Sequence, residues 1–294
     1  MERMDFEGFK RWASEGIKSH LPEEYKDADV RMRSAVKLGS KHTGLSVRMK
    51  GQNIAAEINL NELYELYLGG AALDEIMSCM AKMAVMRPPG GDEDLFMDDY
   101  EKVRKRLFIR LNHRATNREL LKKLPHLDIE DMALTYHVLS AANGRDLWSA
   151  MVSRDLMESW KITEEQLHDD AVQNSGIIMP SRLNPAGDSG MAILTNCFGV
   201  GGAAVLLYPG VLDMAAEKLG GDIYIIPSSV HEVFLVPADQ VSDTDRLTEA
   251  IRQVNNKEVE IRDLLSYNLY HYDTQRRKLE KAEAASSGRV KVRS

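Results

Sequence analysis

Only two cysteines occur in 294 residues, Cys79 and Cys197, far apart and without CxxC spacing. A disulfide framework or a cysteine-type zinc site needs more thiols or close pairs, so both are excluded. The expectation is two reduced thiols in a cytoplasmic protein. Residues 1–7 show no cationic start followed by an apolar run, so no secretory signal is expected. The longest apolar run, Ala203 to Tyr208, falls far short of the roughly 18 residues a membrane span requires. Aromatics are scarce at 6%, and 38 basic against 45 acidic residues give a net charge of −7. That acidic balance argues against a generic nucleic-acid binder. Neither GxxxxGK[ST] nor HExxH is present, which removes a P-loop and a helix-borne zinc site. His20, His42, His113, His126, His137, His168 and His271 form no short-range ligand pair, and no metal or cofactor is expected.

What is present is a globular chain with 44% hydrophobic residues and an uneven charge. From Arg276 to Ser294 there are seven basic and two acidic residues, a net +5, so the body before it stands at −12. Phe6, Phe9, Ala13 and Ile17 recur at helical spacing. Alternation over Val30–Leu38, Leu45–Met49 and Ile54–Leu60, with a turn at 39–44, predicts a β-meander with one solvated face. Asn61 is read as the N-cap of the next helix, and a further helix carries Met77, Met80 and Met83. Pro88 to Asp92 punctuates the chain as a linker or a long surface loop.

Beyond it, the pattern predicts a charged helix near 100–105 and a strand over 106–112. A short helix at 117–123 and strands near 132–139 and 147–152 follow. Thr163 with Gln166 reads as a capping box opening a helix to about Asn174. Residues 180–190 read as loop, 191–195 and 203–208 as buried strands, and 211–219 as a helix closed by Gly220-Gly221. Strands at 222–226 and 231–236 flank a Pro227-Ser228-Ser229 turn, and Leu247, Ile251 and Val254 mark another helix. The expected fold is α+β, with mixed or antiparallel sheets (an N-terminal meander, C-terminal hairpins) and packed helices, not doubly wound. The expected division is 1–87, a main domain over 95–273, and a basic helical or disordered tail at 274–294.

Gly199, Gly201 and Gly202 formally satisfy GxGxxA. The apolar segment that follows stops at Pro209, and a hairpin turn between two buried strands explains the glycines better than a dinucleotide site. Ser228, Ser229, His231 and Glu232 invite a hydrolase reading. A nucleophile needs a base in reach and a third group orienting that base. On a strand His231 and Glu232 point to opposite faces, and Ser229 lies roughly 7 Å from His231 unless the turn curls back. Asn112, Asn117, Asn174, Asn196 and Asn255 fall near element ends, where asparagine caps or turns.

Leu194-Thr195-Asn196, Gly202-Ala203-Ala204, Leu206 to Gly210 and Ile226 to Glu232 carry a further pattern, with Leu111-Asn112, Asp131 to Ala133, Val254-Asn255 and Leu265-Ser266. In these residues the chain resembles an uncharacterised family of gut Firmicutes, number 5688 in the series of domains of unknown function. The resemblance spans about Phe6 to Asp273. It implies a cytoplasmic bacterial protein, often associated with mobile elements, and supplies no catalytic residues.

The leading expectation is a non-enzymatic binding or regulatory module working through Asn196, Tyr208, Ser229, His231 and Asn255. A hydrolase using Ser228 or Ser229 with His231 is the alternative. The partner, a protein or a small molecule, is left open. Contact with nucleic acid is expected only as a weak, salt-sensitive one through Arg276 to Arg293, and no membrane contact is expected.

Overall fold

A computed structural model describes residues 3–37, 40–49, 56–85, 97, 99–143, 146–187 and 189–282. The chain falls into two compact units, Met1–Pro88 and Pro89–Ser294. Residues 86–96, with the Pro88–Asp92 punctuation, lie outside the described residues.

In the first unit α1 (Phe6–Gly16) starts at Asp5, whose carboxylate accepts from Gly8 N, a cap worth about 1 kcal/mol. Phe9, Ala13 and Ile17 then bury one helical face. Strands β1 (Asp29–Lys37), β2 (Ser40–Arg48) and β3 (Ala56–Asn59) pair antiparallel in that order. The predicted 39–44 turn is shorter than expected, because Lys37 already pairs with Ser40. Asn59, not Asn61, caps α2 (Leu60–Leu68) by accepting from Asn61 N. Asn61 Oδ1 instead accepts from Thr43 N on β2. α3 (Leu73–Val85) buries Ile76, Met77 and Met80 into the core of this unit.

The second unit opens with α4 (Tyr100–Val103), β4 (Leu107–His113), α5 (Arg118–Leu121), β5 (His126–Ile129), β6 (Met132–Asn143) and β7 (Asp146–Met151). β6 is central, pairing with β4 on one side and with β5 and β7 on the other. Leu107, Ile109 and Leu111 register with Val138, Tyr136 and Leu134, and all six enter the apolar core. The alternate residues Phe108, Arg110 and Asn112 register with His137, Thr135 and Ala133 on the opposite face. Short α6 (Arg154–Trp160) precedes α7 (Glu164–Ile178), which Thr163 Oγ1 caps by accepting from Gln166 N. On α7, Ser175 Oγ accepts from Ile109 N on β4.

The larger sheet takes the order β13-β12-β10-β11-β9-β8, with β8 (Ser181–Pro185), β9 (Ala192–Asn196), β10 (Ile223–Pro227), β11 (Val233–Pro237), β12 (Tyr270–Asp273) and β13 (Lys278–Lys281). α8 (Val211–Leu219) and α9 (Thr244–Glu258) complete the unit. Every described strand pairing is antiparallel, so the fold is α+β.

Four expectations are corrected here. Residues 181–185 are not loop but the edge strand β8. Residues 203–208 are not a strand, because Gly202–Leu207 is a 3-10 helix packed into the core. His231 and Glu232 precede β11 and lie in a turn. The segment after Asp273 does not continue as a helix: 278–281 form β13, with Leu279 opposite Tyr272 and against the core. Residues 283–294 lie outside the described residues.

Candidate functional site

Three chain segments meet around His231. The first is the turn after β9, which Asn196 shapes. Its Oδ1 accepts from Phe198 N (3.0 Å) and Gly199 N (2.9 Å), and its Nδ2 donates to Val200 O (2.8 Å). One buried amide therefore folds the turn, as short polar side chains do. The second segment is the turn between β10 and β11. Here Ser229 Oγ accepts from His231 N (3.0 Å), and Ser229 N donates to Glu232 O (3.2 Å). The third is Asp263, which lies 32 residues from His231 along the chain.

His231 joins all three. Its Nδ1 accepts from Gly201 N at 3.2 Å, and its Nε2 lies 3.3 Å from Asp263 Oδ1. Accepting at Nδ1 leaves Nε2 to carry the proton toward the carboxylate. The His231 carbonyl accepts from Thr195 Oγ1 at 2.8 Å, Val230 O accepts from Ala203 N, and Asp263 O accepts from Val230 N. Asn255 anchors the same turn from α9, donating Nδ2 to Pro227 O (2.9 Å) and Ser266 O (2.8 Å).

Asn196, Ser229, His231 and Asn255 are thus linked through one junction, but no described hydrogen bond joins Ser228 or Ser229 to the imidazole. Both ring nitrogens are occupied. Ser228 and Glu232 are half-buried, and their side chains make no hydrogen bond to any described residue. Tyr208 stands apart in the apolar core, where burial pushes its phenol pKa up. A depression of about 350 Å³ lined by Arg104, Thr163, Glu165, Gln166, Asp169 and Asp170 contains none of these residues.

The glycine loop is explained by packing. A Cβ at Gly202 would lie 2.1 Å from Thr195 Oγ1, 2.4 Å from His231 O and 2.8 Å from Asn196 N. Only a residue without a Cβ lets the three backbones approach so closely. Gly199 and Gly201 adopt φ of 69° and 62°, the left-handed region. Gly199, Gly201 and Ala203 donate their N–H groups to Asn196, His231 and Val230. Three of the loop's amides are therefore already committed, and the helix after it is a six-residue 3-10 helix and not the α-helix N-terminus a dinucleotide cradle needs.

Residue spacing missed a second polar cluster, on the non-core face of β4 and β6. Asn112 Nδ2 donates to Thr135 Oγ1 (2.9 Å), which bonds His137 Nε2 (3.0 Å). His137 tilts against Phe108 with ring centroids 5.4 Å apart. Burial, then the nearby Arg110 charge, holds the His137 pKa well below its ordinary value. Arg110 itself lies over Phe108 at 5.4 Å, and its Nε is sealed from solvent without a hydrogen-bond partner. Desolvation lowers its pKa to about 10, so it remains a cation near neutral pH. An uncompensated cation in such a place costs several kcal/mol.

Among the described residues no group of three or more His, Cys, Asp or Glu could hold a metal ion. No helix among the described residues is long and apolar enough to cross a membrane.

Fold and site define an α+β protein with three antiparallel sheets among the described residues and a hydrogen-bonded turn junction set against a buried polar sheet face. The chain belongs to a family of unknown function, DUF5688, whose model matches residues 6–187 and 182–274. No curated protein and no solved structure matches it.

Proposed function

We propose that the protein is a non-enzymatic binding module whose partner-facing surface is the 227–232 turn, with Ser228 and Glu232 at its rim. The observation that carries this reading is the full commitment of His231. Gly201 N–H occupies Nδ1 and Asp263 faces Nε2, so neither nitrogen is left to take a proton from a serine. The Ser229 Oγ accepts from His231 N in its own turn and makes no hydrogen bond to the imidazole among the described contacts. These groups give the turn a fixed shape, and fixed shape is what recognition requires. Ser228 and Glu232, without internal partners, remain to contact the ligand.

Two measurements test the proposal. An active-site-directed fluorophosphonate is expected to leave Ser228 and Ser229 unlabelled; labelling abolished by His231→Ala would establish the hydrolase instead. Capture from native lysate with Ser228→Arg and Glu232→Arg variants is expected to lose a specific partner at unchanged melting temperature. An identical partner list would move the surface elsewhere.

A further inference from the structure

The geometry points to an oxyanion-binding site at Arg110, taking the phosphate or carboxylate group of a small molecule. This goes beyond the turn surface proposed above and does not depend on the partner it binds. Arg110 projects from the middle of β4, on the face shared with Phe108, Asn112, Thr135 and His137. The Phe108 ring lies 5.4 Å from the guanidinium carbon, and a Cβ built at Gly201 would lie 3.2 Å from Nε. An aromatic face on one side and a glycine backbone on another hold the guanidinium fork in place.

No carboxylate pairs with Arg110 among the described residues, and its sealed Nε has no partner. The two Nη nitrogens are likewise without a hydrogen bond to any described residue, while the residue as a whole keeps partial exposure. The outer edge of the fork is therefore reachable from outside and unsatisfied from within. Around it the sheet face supplies an amide, a hydroxyl and an imidazole, and no negative charge. Such a setting rejects cations and leaves a bidentate oxyanion unopposed. Gly201 packs near Arg110 while donating its N–H to His231, so an anion here also bears on the loop that shapes the turn junction.

The test measures melting temperature of the full chain against sodium phosphate and, separately, sodium acetate, with ionic strength held constant by sodium chloride. Above its Kd a bound anion is expected to raise the melting temperature by about 3–5 °C per tenfold increase in concentration. The phosphate and acetate arms separate the two ligand classes. Arg110→Met is expected to abolish the dependence, and Arg110→Lys, which keeps the charge but loses the fork, to move its onset to higher anion concentration. A flat response of the wild type to both anions, a wild-type response in the Met variant, or an unchanged onset in the Lys variant overturns the proposal. Should the Met variant fail to fold, the wild-type Arg110 Nε–H resonance decides. It is expected to move with phosphate or acetate but not with chloride, and a resonance that stays fixed in all three overturns the site.

Discussion

Gly202→Ala probes the junction at its tightest point. The added methyl would meet Thr195 Oγ1 at 2.1 Å, His231 O at 2.4 Å and Asn196 N at 2.8 Å, and two of these three atoms belong to the backbone. A rotamer change can relieve only the first contact. The other two require the β9 turn or the 227–232 turn to move. Overpacking of this kind costs about 1–3 kcal/mol. Displacing Thr195 from the His231 carbonyl adds about 1 kcal/mol for the lost hydrogen bond. The smaller unfolded-state entropy of alanine returns about 0.4–1 kcal/mol. The net expectation is roughly 2–3 kcal/mol, or about 5–10 °C in melting temperature for a unit of this size. Gly199→Ala is the matched control, because nothing lies within 4 Å of its added Cβ and only its φ of 69° is unfavourable. That backbone cost of about 1–2 kcal/mol is also partly offset, leaving roughly 1 kcal/mol. Calorimetry of the two variants separates close approach from left-handed backbone. If Gly202→Ala melts no lower than Gly199→Ala, the junction is not packed as described and the argument from Gly202 fails.

Two further predictions concern burial. His137 stays neutral in the folded state, since its pKa is depressed, whereas in the unfolded chain it titrates near 6.5. The unfolded state therefore binds the extra proton, and stability present above pH 6.5 is lost as pH falls below it. The loss deepens as pH falls further below 6.5, for as long as the folded imidazole stays neutral. His137→Gln should flatten urea-unfolding stability over that window by about one proton, and an unchanged slope would refute the assignment. Truncation after Asp273 removes β13, uncovers the β12 edge and takes Leu279 from the core. The melting temperature should fall by several degrees, whereas a detachable tail predicts no change.

The legible parts of this fold are those with a clean period. β1 to β3 alternate, α1 repeats Phe9, Ala13 and Ile17 at helical spacing, and Thr163 with Gln166 announces α7; each appears close to where it was expected. The segment 203–208 was ambiguous in physical terms. A short, uniformly apolar run between glycine and proline has no period to distinguish strand from helix. Here the segment forms a 3-10 helix whose first residue, Gly202, packs tightly against Thr195 and His231. β8 and β13 escaped notice because they end the sheet, and edge strands carry the proline and charges that imitate loops and tails. Asp263 escaped for a different reason: its pairing with His231 crosses 32 residues, and no local pattern encodes it. Arg110 was visible in principle. A charged residue between Phe108 and Asn112, inside a strand whose other face is Leu107, Ile109 and Leu111, is the mark of a buried polar face.

The glycine loop and Arg110 also constrain each other. A GxGG sequence after a strand suggests phosphate held by backbone amides, but Gly199, Gly201 and Ala203 have already given theirs to Asn196, His231 and Val230. Those amides cannot also serve a ligand without dismantling the junction. Positive charge for an anion at this junction lies on a side chain, since Arg110, beside Gly201, is a cation that makes no hydrogen bond to any described residue. The glycines still matter to such a site, though through space rather than hydrogen bonds. A side chain at Gly201 would press on the guanidinium at 3.2 Å, and one at Gly202 would push apart the turns that fix Gly201. Anion affinity and junction stability should therefore fall together in Gly201→Ala, while Arg110→Met removes the first and leaves the second.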